Sequence, residues 1–174
     1  MKRKILLGLG FIFTVSLASC NTQAKEAKSE LQQNDLIVKR GYEVYKAKCS
    51  SCHIESINRN EIMKIKKEIK MGKRPPLNAP PMNEVSARLK VFFKDEKSFK
   101  DFVKDYITNP SREKGKCMPM AFKMFGVMPP IGKSLTEEEK EAVATWLYRA
   151  FNQKWEDFHK GKKCRMRMKM NMEK

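Results

Sequence analysis

The segment from Cys49 to His53, Cys-Ser-Ser-Cys-His, constrains this chain most, because its residue types and spacing suit one particular chemistry. Two cysteines three positions apart can each add across a vinyl group of one haem, and His53 then offers an imidazole nitrogen to the iron. A redox-active Cys-x2-Cys pair or half of a zinc site would use the same residues. A zinc site needs a second pair of ligands, and His159 with Cys164 makes a poor one. We therefore interpret the segment as a covalent attachment site for one haem.

The residues ahead of this motif add to the signal. Gly41, Tyr45 and Cys49 follow one another at intervals of four, which gives the run Gly-x3-Tyr-x3-Cys-x2-Cys-His. This run resembles the first helix of class I c-type cytochromes. The resemblance implies an all-α fold in which the N- and C-terminal helices cross over a covalently attached haem c. It also implies that Trp146 and Leu147 of the last helix lie over Gly41 and Tyr45.

The resemblance further implies a sixth ligand for the iron. Class I cytochromes carry it as a methionine followed by proline in a loop shortly before the last helix, and Met128 is the residue in that position. Met118, also followed by proline, is the runner-up, and weaker candidates are Met120, Met124 and His159. A thioether ligand favours ferrous iron and so raises the reduction potential. Any of these methionines could instead pack in the core.

In the same family, a proline carbonyl beyond the haem motif accepts a hydrogen bond from the ring N–H of the ligating histidine. Pro80 or Pro81 is expected to do so here, with Pro75 and Pro76 as the alternative pair. Such a bond would set the orientation and the basicity of the His53 imidazole.

Helical patterns recur along the chain. The first is expected to start near Asn34 or Asp35 and to run into the haem motif. A basic amphipathic helix is expected after the capping signal at Asn58, within an insertion of about residues 54–74 relative to compact cytochromes. A further helix is expected over the stripe of Val85, Leu89, Phe92 and Phe93, and another from an N-cap at Ser98 to Asn109. The last helix is expected from the capping box at Thr136, with the stripe of Phe151, Trp155 and Phe158 prolonging it to Gly161.

The N-terminus has the features of an export signal. Three basic residues precede an apolar run that ends in Leu-Ala-Ser-Cys20, which resembles the lipobox of bacterial lipoproteins. We expect residues 1–19 to be a signal peptide, Cys20 to be acylated, and residues 20–33 to form a flexible tether for a cytochrome domain over 34–160. The protein would then face the periplasm from the inner or the outer membrane, and ordinary cleavage that leaves Cys20 free is the alternative.

The charge indicates the type of partner. Without residues 1–19 the chain keeps 34 of its 37 lysine and arginine residues and all 20 acidic residues. This excess favours acidic redox-partner proteins, or anionic lipid head groups at the membrane. No nucleic-acid-binding signature accompanies it, so nucleic acid is not expected as a partner.

Two cysteines remain once the lipid and the haem are assigned, Cys117 and Cys164. In an oxidising compartment they could form a disulfide, which would stabilise the fold by about 3–5 kcal/mol. Cys164 lies in a basic tail over residues 161–174, just before four alternating methionines. That tail is interpreted as a basic arm, and Cu(I) binding through soft sulfur ligands is the rival.

These features predict a one-haem electron carrier that catalyses no bond chemistry itself and shuttles electrons between membrane complexes or to a reductase. One rival is a sensor or redox enzyme subunit with an open sixth site on the iron. Another is a metal-handling protein that uses the methionine-rich tail.

Overall fold

The computed structural model describes the backbone of residues 19–159 and the side chains of residues 28, 29 and 31–159. The chain divides into two units after Asn34. The described residues are helical and contain no strand, as the sequence predicts. The elements are α1 Ser19–Lys48, α2 Arg59–Lys70, α3 Met82–Phe92, α4 Glu96–Thr108, α5 Pro119–Phe125, a 3-10 helix Ile131–Ser134, α6 Glu137–Arg149 and α7 Trp155–Phe158. None of the helices within residues 19–159 has an apolar stretch long enough to cross a bilayer.

Helix α1 corrects one prediction. The sequence predicts a flexible tether over residues 20–33 and a helix start near Asn34 or Asp35, whereas α1 is helical from Ser19. The residues of the tether are mostly Lys, Glu, Gln and Ala, which have high helix propensity. Extending a helix that already exists needs no new nucleus, so a polar segment can continue it without burying a core.

The crossing of α1 and α6 is as the resemblance predicts. A Cβ atom added to Gly41 would lie 2.6 Å from the Cβ atom of Trp146 and would also collide with the carbonyl oxygen of Ala142. The rings of Tyr45 and Trp146 stack with their centroids 4.6 Å apart. Leu147 is buried in the same core. The absent side chain at Gly41 therefore allows the two helices to approach closely.

Both predicted capping boxes are present. At α2 the Asn58 side chain accepts from the N–H of Glu61, and at α6 the Thr136 hydroxyl accepts from the N–H of Glu139. In each case the glutamate side chain accepts from the N–H of the capping residue in return. These boxes set where the two helices begin.

Two helix boundaries differ from the prediction. The N-cap of α4 is Asp95, whose carboxylate accepts from the N–H of Ser98 at 2.8 Å, so Ser98 lies inside the first turn. The stripe of Phe151, Trp155 and Phe158 does not prolong α6, because α6 ends at Arg149 and a separate turn, α7, follows. The break lets Trp155 and Phe158 turn toward α2 and α3, where both are buried.

The main core lies between α1, α3, α4 and α6. Its buried members include Val44, Met82, Leu89, Phe99, Val103, Val143 and Trp146. A smaller cluster under α2 joins Ile57, Ile62, Ala87 and Phe158. The haem motif leaves α1 between these two groups of residues, since Tyr45 belongs to the first cluster and Ile57 to the second.

Candidate haem site

The haem motif forms a tight turn at the end of α1. The N–H groups of Cys49 and His53 donate to the carbonyl oxygens of Tyr45 and Cys49, both at 2.9 Å, and the N–H of Cys52 also donates to Cys49 at 3.1 Å. Cys49 is half-buried and Cys52 is exposed. Burial, and secondarily the neighbouring Cys52, raises the pKa of the Cys49 thiol to about 11. This one turn therefore brings together two thiols and an imidazole from Cys49, Cys52 and His53.

The His53 ring is oriented by a backbone carbonyl. Its Nδ1 atom lies 2.7 Å from the carbonyl oxygen of Pro80. Because a carbonyl can only accept, Nδ1 carries the proton and the lone pair is on Nε2, the nitrogen that can bind a metal. Burial lowers the pKa of His53, and the bond to Pro80 opposes that shift without reversing it. A neutral imidazole is the form that ligates iron.

Pro80 is held in place by the segment that follows the motif. The N–H of Met82 donates to the carbonyl oxygen of Ile54 at 2.9 Å, and the N–H of Asn83 donates to that of Glu55 at 3.1 Å. The side chain of Asn83 accepts from the N–H of Ile57 at 3.2 Å and donates to its carbonyl oxygen at 2.9 Å. These bonds join residues 54–57 to the start of α3. The neighbouring Pro81 carbonyl is used differently, since it accepts from Val85 inside α3.

Asn83 supports the site although no sequence pattern indicates this role. Its side chain is 1% exposed, which is unusual for an asparagine and is explained by its two bonds to Ile57. No local pattern distinguishes it from a surface asparagine, because its partners lie 26 residues away.

Tyr45 ties the turn to the helix crossing. Its hydroxyl donates to the carbonyl oxygen of His53 at 2.9 Å, while its ring stacks on Trp146. Burial raises the pKa of this hydroxyl, so it stays protonated and donates at neutral pH. The same side chain thus connects α6 to the residue that would bind iron.

A cavity of about 620 Å³ has Pro80 and Pro81 in its wall. Among the described residues, Cys49, Cys52 and His53 of the turn do not line it. That volume is in the usual range for cofactor sites, roughly 300–1,000 Å³. The wall is mainly apolar and includes Val85, Leu89, Phe102 and Tyr106. Basic side chains such as Arg88 and Lys116 also contribute. A flat apolar ring that carries acidic groups would suit this lining.

The candidate methionines lie in two places. Met118, Met120 and Met124 line the cavity. Met128 is half-buried in the loop between α5 and the 3-10 helix and is not among the cavity's lining residues within the described part of the chain. That loop is anchored at Gly132, where a Cβ atom would lie 2.8 Å from the Cγ1 atom of Ile107 in α4.

The other predicted site residues are distributed as follows. Cys117 is half-buried in the cavity wall, and burial raises the pKa of its thiol. Its proposed disulfide partner Cys164 lies outside the described residues, as does the side chain of Cys20. His159 also lines the cavity, but both of its ring nitrogens have other partners, since Nε2 lies 2.7 Å from the Glu84 carboxylate and Nδ1 lies 2.7 Å from the Lys66 amine.

Comparison with known proteins identifies the domain that carries this site. The family described as "Cytochrome C oxidase, cbb3-type, subunit III" matches residues 37–147, which include the haem motif, Pro80 and Met128. The chain belongs to this family. It is therefore a c-type cytochrome with a class I-like all-helical fold, a covalently bound haem c and the role of a haem-based electron carrier.

The cytochrome also has a close relative. An "Uncharacterized protein" from Aquifex aeolicus (strain VF5) is 60% identical over 121 residues, which cover 70% of this chain and 80% of the relative. No solved structure matches the cytochrome.

The residues of the cytochrome fit haem c in three respects. The turn supplies the two thiols and the imidazole that this group requires. The bond to Pro80 leaves the lone pair of His53 on Nε2, the nitrogen that can bind a metal. The cavity wall combines apolar side chains, which suit the macrocycle, with cations, which suit its two propionates.

Proposed function

We propose that this cytochrome is a membrane-anchored, exported carrier of single electrons. The observation that carries the proposal is the pairing of His53 with Pro80 at 2.7 Å, because it gives the imidazole one tautomer and one orientation inside a c-type cytochrome domain. When bound, haem c supplies a one-electron iron couple. The protein's own residues hold the group, exclude water from it and tune its potential.

Each binding role is assigned to one residue. Cys49 and Cys52 would form the two thioether links to haem c, and Nε2 of His53 would ligate its iron. Met128 would supply the other ligand, with Met118 as the alternative. Support for Met128 comes from its place before α6 in the matched domain and from the anchoring of its loop by Gly132 against α4. Met118 is supported by its position in the cavity wall.

The anchoring part of the proposal rests on the sequence. Residues 1–19 direct export, and an acylated Cys20 keeps the mature protein on a membrane with its haem domain in the periplasm. Residues 20–33 separate that domain from the anchor.

A redox titration of the full-length protein, exported in a host with haem-attachment machinery, tests the carrier function. The expected result is one haem per chain and a single reversible one-electron couple. Cys52→Ser is the matched variant and should leave the haem attached by one bond only. Two couples, or an iron that binds carbon monoxide readily, would contradict a closed one-haem carrier and favour the ligand-binding rival.

Localisation needs a separate test, because it does not depend on the haem. Wild-type protein should be found in the membrane fraction of the same host and should incorporate labelled palmitate, whereas Cys20→Ser should incorporate none. Wild-type protein without the label would contradict the lipid anchor.

A further inference from the structure

His159 is a buried histidine with no role in holding the haem. The chain contains two histidines, and the other, His53, has its lone pair on the nitrogen that can bind iron. The side chain of His159 is only 6% exposed and lines the cavity. Imidazole is the side chain whose charge changes near neutral pH, and a buried imidazole needs partners for its nitrogens. These partners decide what His159 can do.

Two charged groups of opposite sign hold the His159 ring. Nε2 lies 2.7 Å from the Glu84 carboxylate, and Nδ1 lies 2.7 Å from the Lys66 amine. An ammonium group can only donate and an ionised carboxylate can only accept, so the neutral ring accepts at Nδ1 and donates from Nε2. A second proton would occupy Nδ1, strengthen the pairing with Glu84 and break the bond from Lys66. The site therefore has two arrangements that differ by one proton.

Other charged groups surround this pair. The Trp155 ring stacks on His159 with the centroids 3.8 Å apart, and the Arg88 guanidinium lies 4.9 Å from the centre of the same indole. On α7 itself, Glu156 and Asp157 are exposed. The charged residues that line the cavity in the described part of the chain are Lys66, Lys67, Lys70, Glu84, Arg88 and Lys116. The single acid among these favours a protonated imidazole, and the cations oppose it.

Glu84 connects His159 to the proximal side of the haem site. It lies in the first turn of α3, four residues after Pro80, within the roughly 14 Å that four residues span when fully extended. The Pro80 carbonyl accepts from Nδ1 of His53 at 2.7 Å. Pro80, Glu84 and His159 also share the mainly apolar cavity wall. A charge that appears on His159 therefore arises near the iron ligand, where it is screened less than it would be in water.

We propose that His159 is a redox-linked proton site, which takes up a proton when the haem is reduced. The inference rests on the proposed function, because the electron comes from the electron donor of the carrier. One electron enters the haem, one proton from water binds Nδ1 of His159, and the Lys66 ammonium leaves that nitrogen with its own protons. Glu84 stays ionised and keeps its bond to Nε2. The new positive charge offsets the electron's negative charge.

Linkage fixes the sign of the effect. An electron on the haem favours the proton on His159, and by reciprocity the proton raises the reduction potential. The potential is therefore highest at low pH and falls as the pH rises through the titration of His159. We expect the reduced protein to bind this proton about threefold more tightly than the oxidised protein. That ratio corresponds to a fall of about 28 mV, at 59 mV for each factor of ten in a one-electron couple.

Redox titration of the full-length holoprotein between about pH 5 and pH 8 tests the inference. His159→Gln can still accept from Lys66 and donate to Glu84 but binds no proton, so the fall should disappear. Glu84→Gln should move the fall to lower pH because it removes the anion, and Lys66→Met should move it to higher pH because it removes the cation. Glu156→Gln, at an exposed position of α7, is the control and should keep the fall where it is.

Proton NMR gives a readout that does not use the potential. With His53 on the iron, His159 supplies the one imidazole of the chain that can titrate. Its ring signal should titrate about 0.5 pH unit higher in dithionite-reduced protein than in ferricyanide-oxidised protein, which is the threefold ratio on a logarithmic scale. Each state is prepared chemically, so the comparison needs no electrode.

A fall in potential that persists in His159→Gln would overturn the proposal in favour of a haem propionate as the proton site. A His159 signal with the same midpoint in both oxidation states would also overturn it. Shifts of the same sign in Glu84→Gln and Lys66→Met would mean that the cluster acts on packing alone. Failure of the proposed function is separable, because it would appear as the absence of a reversible couple in the wild type, and the NMR comparison would still decide the role of His159.

Discussion

The Nδ1 atom of His53 donates a hydrogen bond to the carbonyl oxygen of Pro80 across 27 residues of sequence. The segment between them contains the whole of α2, so the insertion does not disturb the contact. The contact between His53 and Pro80 depends on the hydrogen bonds that Met82 and Asn83 make to residues 54–57. The proximal side of the haem site is therefore supported by a buried polar contact rather than by the motif alone.

Replacing Asn83 should weaken this support. Asn83→Ala leaves the N–H and carbonyl of Ile57 without their partner in a buried place, so we expect the free energy of unfolding to fall by about 2–4 kcal/mol. Guanidinium denaturation of the holoprotein measures the change. Asn78→Ala, at an exposed position, is the control and should change it by less than about 0.5 kcal/mol. Equal effects of the two variants would show that the contact does not support the site.

Gly41→Ala tests the crossing of α1 and α6. The new methyl group would meet the carbonyl of Ala142 and the Cβ atom of Trp146, so overpacking should cost about 3 kcal/mol. The higher helix propensity of alanine returns roughly 1 kcal/mol, which leaves a net loss of about 2 kcal/mol. Thermal or guanidinium unfolding checks this. Lys39→Ala, on the exposed side of α1, should be nearly neutral, and a stabilised Gly41→Ala would refute the close approach.

Gly132→Ala tests the link between α4 and the loop of Met128. A methyl group there would push against Ile107 and Thr108, so the loop must shift. We expect a loss of about 1–3 kcal/mol of stability and a weaker iron–methionine absorption band in the ferric protein. Lys133→Ala alters an exposed neighbour and should keep the band. An unchanged band in Gly132→Ala would mean that this loop does not position the sixth ligand.

The ion pairs of Glu141 predict a pH dependence. Burial alone would raise the pKa of Glu141, but hydrogen bonds from Lys100 and Lys104 outweigh it and lower the pKa below its ordinary value of 4.5. A lowered carboxyl pKa stabilises the fold above that ordinary value, and the stabilisation is lost as the pH falls through the folded-state pKa. Glu141→Gln should therefore lose less stability than wild type between neutral pH and acid. Denaturation at several pH values, with Glu156→Gln as an exposed control, checks the difference.

Features encoded by neighbouring residues could be predicted from the sequence. The boxes at Asn58 and Thr136 need only a partner three residues on, and the role of Gly41 follows from its spacing to the haem motif. The Pro80 contact required knowledge of the family, because nothing local separates Pro80 from the other prolines. It then agreed with the geometry in the structure.

Features decided by distant contacts could not be predicted. The burial of Asn83 depends on Ile57, and the break after α6 depends on the space that α2 and α3 offer to Trp155 and Phe158. The start of α1 at Ser19 differs from the prediction for another reason. A polar composition predicts a tether, although the same residues are good helix formers.

The most direct test of the account is the ferric absorption spectrum of the exported holoprotein, in wild type and in Met128→Ala. The far-red band of an iron–methionine bond should be present in the first and absent in the second. Met120→Ala, a change at a largely exposed methionine, should keep the band, and Met118→Ala examines the alternative ligand. A band that survives Met128→Ala but is lost in Met118→Ala would move the ligand to Met118. A high-spin wild-type spectrum without the band would contradict a closed electron carrier altogether.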